Sequence, residues 1–218
     1  MYKNKNWYIY KANLNLKPKN KYKTTYFLEL RNLDKTILLF KKLRNEFYDH
    51  LTSFEIIFPI PSSILLNQKS NFHLIVEMHS NEKNKFKKPL KDIFQKYLAK
   101  IIKIENNIKN SWIWKKREDL VHLQKDLKYN HKFDISLPLS HWKNFISKTN
   151  KFIKTNKQFS PYFFGHLGDG NLHCNFKAEN ENEKDIKLLS KFIYELTLSL
   201  NGSIAAEHGL GQKKNMLL

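Results

Sequence analysis

The chain has little that could hold it together covalently or carry it into a bilayer. Of its 218 residues only Cys174 is a cysteine, which excludes an internal disulfide framework. No run approaches the roughly 18 apolar residues of a membrane span. The opening Met1-Tyr2-Lys3-Asn4-Lys5-Asn6 lacks the apolar centre of a signal peptide, so no targeting segment is visible. Arginine is scarce too. Arg31, Arg44 and Arg117 are the only arginines among 39 basic residues, set against 20 acidic ones for a formal net charge of +19. Such a charge first suggests nucleic acid or an anionic surface. Specific readers of bases and phosphates, however, rely on the two-pronged guanidinium. Lysine here is interspersed with asparagine along the whole chain rather than gathered on one stripe, which reads as a solvated surface with no specific nucleic-acid partner.

What is present is globular: 41% of residues are hydrophobic and 14% aromatic, and the length suffices for one large domain with a proper core. Residues 1–23 are polar and Lys/Asn-rich, and read as a lead-in or linker. Thr24 to Leu30 reads as a strand. Asp34 reads as the N-cap of a helix that turns Ile37, Phe40, Leu43, Phe47 and Leu51 inward. Ser53 to Phe58 reads as a strand stopped by Pro59 and Pro61. Phe72, Leu74, Val76 and Met78 alternate with His73, Glu77 and His79, giving a strand whose two histidines lie on a solvated face. A helix from Pro89 carries Leu90, Ile93, Phe94, Tyr97, Leu98 and Ile101. A further helix covers 111–120, and Phe133 to Leu137 forms a strand that Pro138 ends. A helix over 139–154, a hairpin, and a helix from Glu183 to Leu200 closed by Asn201-Gly202 complete the order. Two β-α-β-β-α units follow. The fold class is α+β: an antiparallel sheet from two split units with helices packed against it.

The hairpin is the chemically rich part. Its sequence is Phe163-Phe164-Gly165-His166-Leu167-Gly168-Asp169-Gly170-Asn171-Leu172-His173-Cys174-Asn175. Asp-Gly between apolar runs signals a tight turn, which places Asp169 and Gly170 at the tip and His166 directly opposite His173. Opposed side chains have Cβ atoms roughly 4.5–5.5 Å apart, near enough for two imidazoles to share a metal. Asn175 shares their face, while Cys174 alternates away from it and reads as a small buried residue. Two surface histidines on an ordinary hairpin is the other reading, and spacing alone leaves both open. Further donors stand downstream in Gly202-Ser203-Ile204-Ala205-Ala206-Glu207-His208-Gly209-Leu210-Gly211.

Together, GHLGDGNLH and the GSIAAEHGLG some thirty residues later resemble the C-terminal domain of FAD-linked 2-hydroxy acid dehydrogenases. That family includes D-lactate dehydrogenase, the glycolate oxidase flavoprotein subunit and D-2-hydroxyglutarate dehydrogenase. The resemblance runs from about Thr25 onward and implies the α+β architecture above. It implies that His166, His173 and Glu207 bind a divalent metal, usually zinc, and that His208 acts as base on the substrate hydroxyl. Ile113-Trp114-Lys115-Lys116-Arg117-Glu118 is similar to a W-x-x-R-E segment whose Arg binds substrate carboxylate, which points to Arg117. Lys132-Phe133-Asp134-Ile135-Ser136-Leu137-Pro138 is similar to a K-Y-D-L-S-L-P strand whose Lys faces the substrate, which points to Lys132. Asn175 would steady substrate or a ligand. The residue four after Arg117, where that family carries a hydroxyl, is Val121 here.

The resemblance further implies an FAD cofactor held mainly by a flavin-binding domain that the chain does not show. That domain would sit in the same or a separate polypeptide, and the C-terminal domain, over 24–218, would be truncated at its end. The partners implied are a small 2-hydroxy acid and an electron-transfer acceptor, and the location implied is mitochondrial, otherwise cytoplasmic. Two other classes remain from the residues: a zinc-dependent hydrolase that uses the same two histidines and glutamate to activate water, and a basic nucleic-acid-binding module.

Overall fold

The computed structural model describes residues 10–14, 16, 19–66, 71–125 and 128–207. Its elements run β1 (Tyr22–Leu30), α1 (Leu33–Phe47), β2 (Leu51–Ile57), α2 (Pro59–Leu66), β3 (Phe72–Ser80), α3 (Lys87–Lys96) and β4 (Lys100–Asn106). Then come α4 (Trp112–Lys125), β5 (Asn130–Ser136), α5 (Trp142–Thr155), β6 (Phe159–His166), β7 (Asn171–Ala178) and α6 (Glu183–Ser199). The seven strands form one sheet in the order β4-β1-β3-β2-β6-β7-β5, with every pairing antiparallel. β3 lies between β1 and β2, and β7 lies between β6 and β5. Each half is therefore a split β-α-β with its third strand inserted, as the α+β reading expected. The halves meet where β2 pairs with β6.

Alternation along the strands sends apolar side chains to one face. Leu28, Phe54, Ile56, Leu74, Val76, Phe133, Phe163, Leu172, Cys174 and Phe176 form a core there with α1, α3, α5 and α6. Cys174 is fully buried, as its alternation implied. The opposite face carries a smaller cluster of Phe27, Ile57, Ile75, Ile113, Leu120 and Phe164, covered by α2 and α4. This second, partly covered face holds the polar residues of interest.

Several local expectations are corrected. Asn32, not Asp34, caps α1: its side chain accepts from the backbone N–H groups of Asp34 at 2.8 Å and Lys35 at 3.2 Å. Pro59 and Pro61 do more than stop β2, since proline is tolerated in a first helical turn and both sit in α2. That helix overturns the solvated reading of His73, which is 1% exposed, stacks on Phe27 and pairs with Ser62. His79 stays partly exposed and bonds Glu77. The helix expected from Pro89 to Ile101 stops at Lys96, because Leu98 turns left-handed (φ 58°) and redirects the chain into β4, which begins at Lys100 and includes Ile101. Likewise Leu51 opens β2 rather than continuing α1, and Tyr22 and Lys23 of the expected lead-in already belong to β1.

The placement of α4 bears directly on function. Glu105 of β4 lies at its N-terminus and accepts from Ser111 Oγ at 2.5 Å and from the backbone N–H of Trp112 at 3.2 Å, where the helix dipole favours a carboxylate. Trp114 Nε1 donates to the Glu77 carboxylate of β3 at 2.8 Å. With both ends of that first turn pinned to strands, Ile113, Arg117 and Leu120, spaced i, i+4, i+7, face the sheet.

Candidate metal and substrate site

The hairpin register differs from the expected one. His166 pairs with Asn171 and Phe164 with His173, so residues 167–170 form a four-residue turn instead of a two-residue tip. A slip of two keeps every side chain on its face, since the strand period is two. His166 and His173 thus remain neighbours, along a diagonal rather than directly opposed. Gly165 allows the strands to close, for a Cβ there would meet the Asn171 carbonyl oxygen at 2.2 Å. Gly170 takes φ 75° at the end of the turn, and its carbonyl accepts from Leu137 N at 3.0 Å, tying the turn to the end of β5.

Both imidazoles present the same nitrogen inward. His166 Nε2 lies 3.4 Å from His173 Nε2 and 3.1 Å from Glu207 Oε1. One ligand atom from each of the three lies within 4.8 Å of the others. A tetrahedral ion about 2.0–2.1 Å from two nitrogens would hold them about 3.3 Å apart, so the donor set fits a zinc-like ion.

The outer nitrogens face carboxylates. His166 Nδ1 bonds Glu55 Oε1, and His173 Nδ1 stands 3.5 Å from Asp134 Oδ1. Asp134 Oδ2 accepts the backbone N–H of Glu207 at 2.7 Å, which sets the third member of the cluster. The bridge of Ser203 to Ser136 holds that segment along β5. Carboxylate–histidine pairs of this kind fix which ring nitrogen carries the proton and leave the other for a metal.

The surroundings drive the charges apart. Burial by itself would raise the Glu55 carboxyl, but the His166 hydrogen bond and the Arg117 charge outweigh it and hold it below the ordinary glutamate value. The Glu55 hydrogen bond raises His166. Burial, with Arg117 and His166 nearby, lowers His173.

Arg117 is brought to the same place. Its Nε donates to Glu55 Oε2 at 2.8 Å, and its guanidinium lies over the Phe164 ring, 4.7 Å from the centroid. Phe164 in turn packs against His173. Asn175 is buried two residues beyond His173 on the same face, and Lys132 pairs with it across β5 and β7 at an exposed position. Val121 is an exposed residue one turn along α4 from Arg117. His208 lies outside the described residues.

Sequence reasoning missed Glu55, Asp134 as a partner, and Asn171. A charge alternating with apolar residues in β2 reads as solvated, and only the pairing of Glu55 with His166 across β2 and β6 reveals its role. Asn171 is 2% exposed, and neither its Oδ1 nor its Nδ2 has a hydrogen-bond partner among the described residues.

Comparison with known proteins decides the family. A family model described as FAD linked oxidases, C-terminal domain, matches residues 19–218. The chain belongs to this family. Within the FAD linked oxidase C-terminal domains, it is 30% identical over 194 residues to the mitochondrial D-2-hydroxyglutarate dehydrogenase of Arabidopsis thaliana, covering 84% of this chain and 33% of the relative. It is 29% identical over 161 residues to the mitochondrial D-2-hydroxyglutarate dehydrogenase of Rattus norvegicus, covering 69% and 29%. The chain thus spans about a third of the length of these curated relatives. Among solved structures, an alkyldihydroxyacetonephosphate synthase superposes with a TM-score of 0.62 at 13% identity, covering 91% of this chain and 43% of that one, a likeness of fold. No helix among the described residues is long and apolar enough to cross a membrane.

Proposed function

We propose that this chain is the substrate- and metal-binding portion of an FAD-dependent D-2-hydroxy acid dehydrogenase, acting on a 2-hydroxyglutarate-like or lactate-like substrate. The observation that carries the reading is the convergence of His166 Nε2, His173 Nε2 and Glu207 Oε1 beside Arg117. The names of the curated relatives support the same chemistry and a mitochondrial setting.

In this reading His166, His173 and Glu207 hold one divalent ion, with zinc favoured by two nitrogens and one carboxylate oxygen. When bound, the ion supplies Lewis acidity at the α-hydroxyl, and FAD, held by a domain in the same or a separate polypeptide, supplies the two-electron acceptor. The chain's own residues bind and orient. Arg117 spends Nε on Glu55 and directs its terminal nitrogens to a substrate carboxylate, as a planar fork suits. Lys132 adds a point charge at the exposed rim, and Asn175 holds the substrate through its amide. His208, next to a ligand, accepts the hydroxyl proton. A separate electron-transfer acceptor would be the further partner of such an enzyme.

The test is a metal titration together with an assay for flavin. The chain is expected to take up one equivalent of Zn2+, and His166→Ala and His173→Ala each to abolish that uptake. Oxidation of D-2-hydroxyglutarate is expected to require FAD, to stop on chelation and to return with zinc. Flavin-independent turnover, above all hydrolysis of an ester or amide, would overturn the reading.

A further inference from the structure

One side chain of the site belongs neither to the ion's donors nor to the groups that would meet a substrate, yet it touches one of each. Glu55 is 5% exposed and lies directly across the β2·β6 pairing from His166. Its Oε1 accepts from His166 Nδ1 and its Oε2 accepts from Arg117 Nε at 2.8 Å. An ionised carboxylate can only accept, so His166 must carry a proton on Nδ1, and when the ring is neutral its Nε2, which faces His173 and Glu207, is the nitrogen left for an ion. Arginine can only donate, so it demands the other oxygen.

We propose that Glu55 is the positioning residue of the site: its two oxygens select the metal-binding tautomer of His166 and at the same time anchor Arg117 beside it. The second half of this statement, as it bears on metal and substrate, rests on the function proposed above. Both oxygens are needed. Glutamine at this position would offer one acceptor to two donors, and Arg117 cannot give its proton up. The amide oxygen then goes to Arg117 and the amide N–H₂ to His166, which forces the proton onto Nε2 and blocks the nitrogen that faces the cluster. Charge adds to the effect. Without the Glu55 anion, the Arg117 cation stands uncompensated next to a site meant for a dication.

The test compares the full 218-residue chain with its E55Q and E55D variants, each checked for folding by circular dichroism. Ring-nitrogen NMR, with His166 assigned from a His166→Gln chain, reads the tautomer in the absence of metal. Competition against a chromophoric chelator reads the Zn2+ dissociation constant. Wild type is expected to show the proton on Nδ1. E55Q is expected to shift it to Nε2 and to weaken Zn2+ binding 10–100-fold, the usual scale for losing a ligand's outer partner. E55D keeps two acceptor oxygens and is expected to retain the wild-type tautomer and recover most of the affinity. Should E55Q misfold around an unpaired Arg117, a Glu55→Leu, Arg117→Met chain removes both charges, and the same loss of tautomer preference and affinity is expected.

The proposal is overturned if E55Q, or the double variant in its place, keeps the Nδ1 proton and binds Zn2+ within threefold of wild type. A wild-type chain that binds no Zn2+ would refute the metal reading, while the tautomer comparison would still decide the role of Glu55.

Discussion

Asp134 Oδ2 accepts the backbone N–H of Glu207 at 2.7 Å while its other oxygen faces His173 Nδ1. One carboxylate on β5 thus places two of the three cluster members. Asp134→Ala is expected to weaken Zn2+ binding about 10–100-fold and to speed hydrogen exchange at the Glu207 amide. Asp134→Asn retains an acceptor for that amide, so its exchange should stay slow. Equal exchange rates in the two variants would break the link.

The glycines of the hairpin should separate sharply. At Gly165 a Cβ would meet a backbone oxygen of the paired strand at 2.2 Å, and backbone cannot swing aside as a side chain does. Gly165→Ala is expected to cost about 1–3 kcal/mol, the range for forced overpacking, or roughly 2–4 °C of Tm per kcal/mol in a chain of this size. At Gly168 nothing lies within 4 Å of the added carbon. Gly168→Ala should leave Tm unchanged or slightly raised. Thermal unfolding of the two variants checks the contrast.

His173 gives the metal-free chain a defined pH response. Burial, the first cause, holds its folded value below the ordinary 6.5, so on acidification the unfolded chain takes up the proton first. Its contribution to stability is therefore present above about 6.5 and is lost as pH falls from there through the folded value. Wild type should lose Tm between pH 7 and pH 5 relative to His173→Gln, which has no proton to gain. His166 acts in the opposite sense, since Glu55 raises it: its contribution is complete below 6.5 and fades as pH climbs past its folded value. A His166→Gln chain should therefore differ most from wild type on the acid side.

Glu207 and His208 are adjacent in sequence but have different proposed jobs. Glu207→Gln is expected to lower the zinc content of the purified chain, and His208→Ala to leave it intact. In the FAD-containing enzyme, His208→Ala should slow turnover about 10²–10⁴-fold, as loss of a general base does, with near-normal flavin absorbance. Metal analysis showing the reverse pattern would exchange the two roles.

Much of this was legible along the chain because its signals are local. All six glycines fall within residues 165–211, marking two backbone-crowded segments, and the two histidines sit an odd number of residues apart across a turn. The α+β class followed from strand and helix periods that the structure keeps in both halves. What was illegible depends on distant pairing. The turn looked two residues long because Asp169-Gly170 signals a tight tip, whereas the hydrogen bonds of Leu167 N to Phe54 O and of Leu137 N to Gly170 O draw the ends of the turn to other strands. β4 was hidden because Leu98 and Ile101 continue the helical rhythm of α3, and only the left-handed backbone at Leu98 itself breaks it. His73 looked solvated because its cover, α2, begins with prolines that read as a stop.

The seam between the two halves gives the site a division of labour. His166, His173 and Glu207 all come from the second half, whereas Glu55 and Arg117 come from the first, across a junction of Glu55, Ile56 and Ile57 against His166, Gly165 and Phe164. Under the proposed function, the ion's donors thus come from one lobe, while the Arg117 guanidinium and its Glu55 anchor come from the other, across one narrow suture. A substitution at Ile56 or Ile57 in that suture, neither of them a proposed ion or substrate contact, would change how well the two lobes agree before it changed either one. Under the proposed function, exchanging Arg117 in the first lobe would then alter the carboxylate clamp while the second lobe kept its three ion donors.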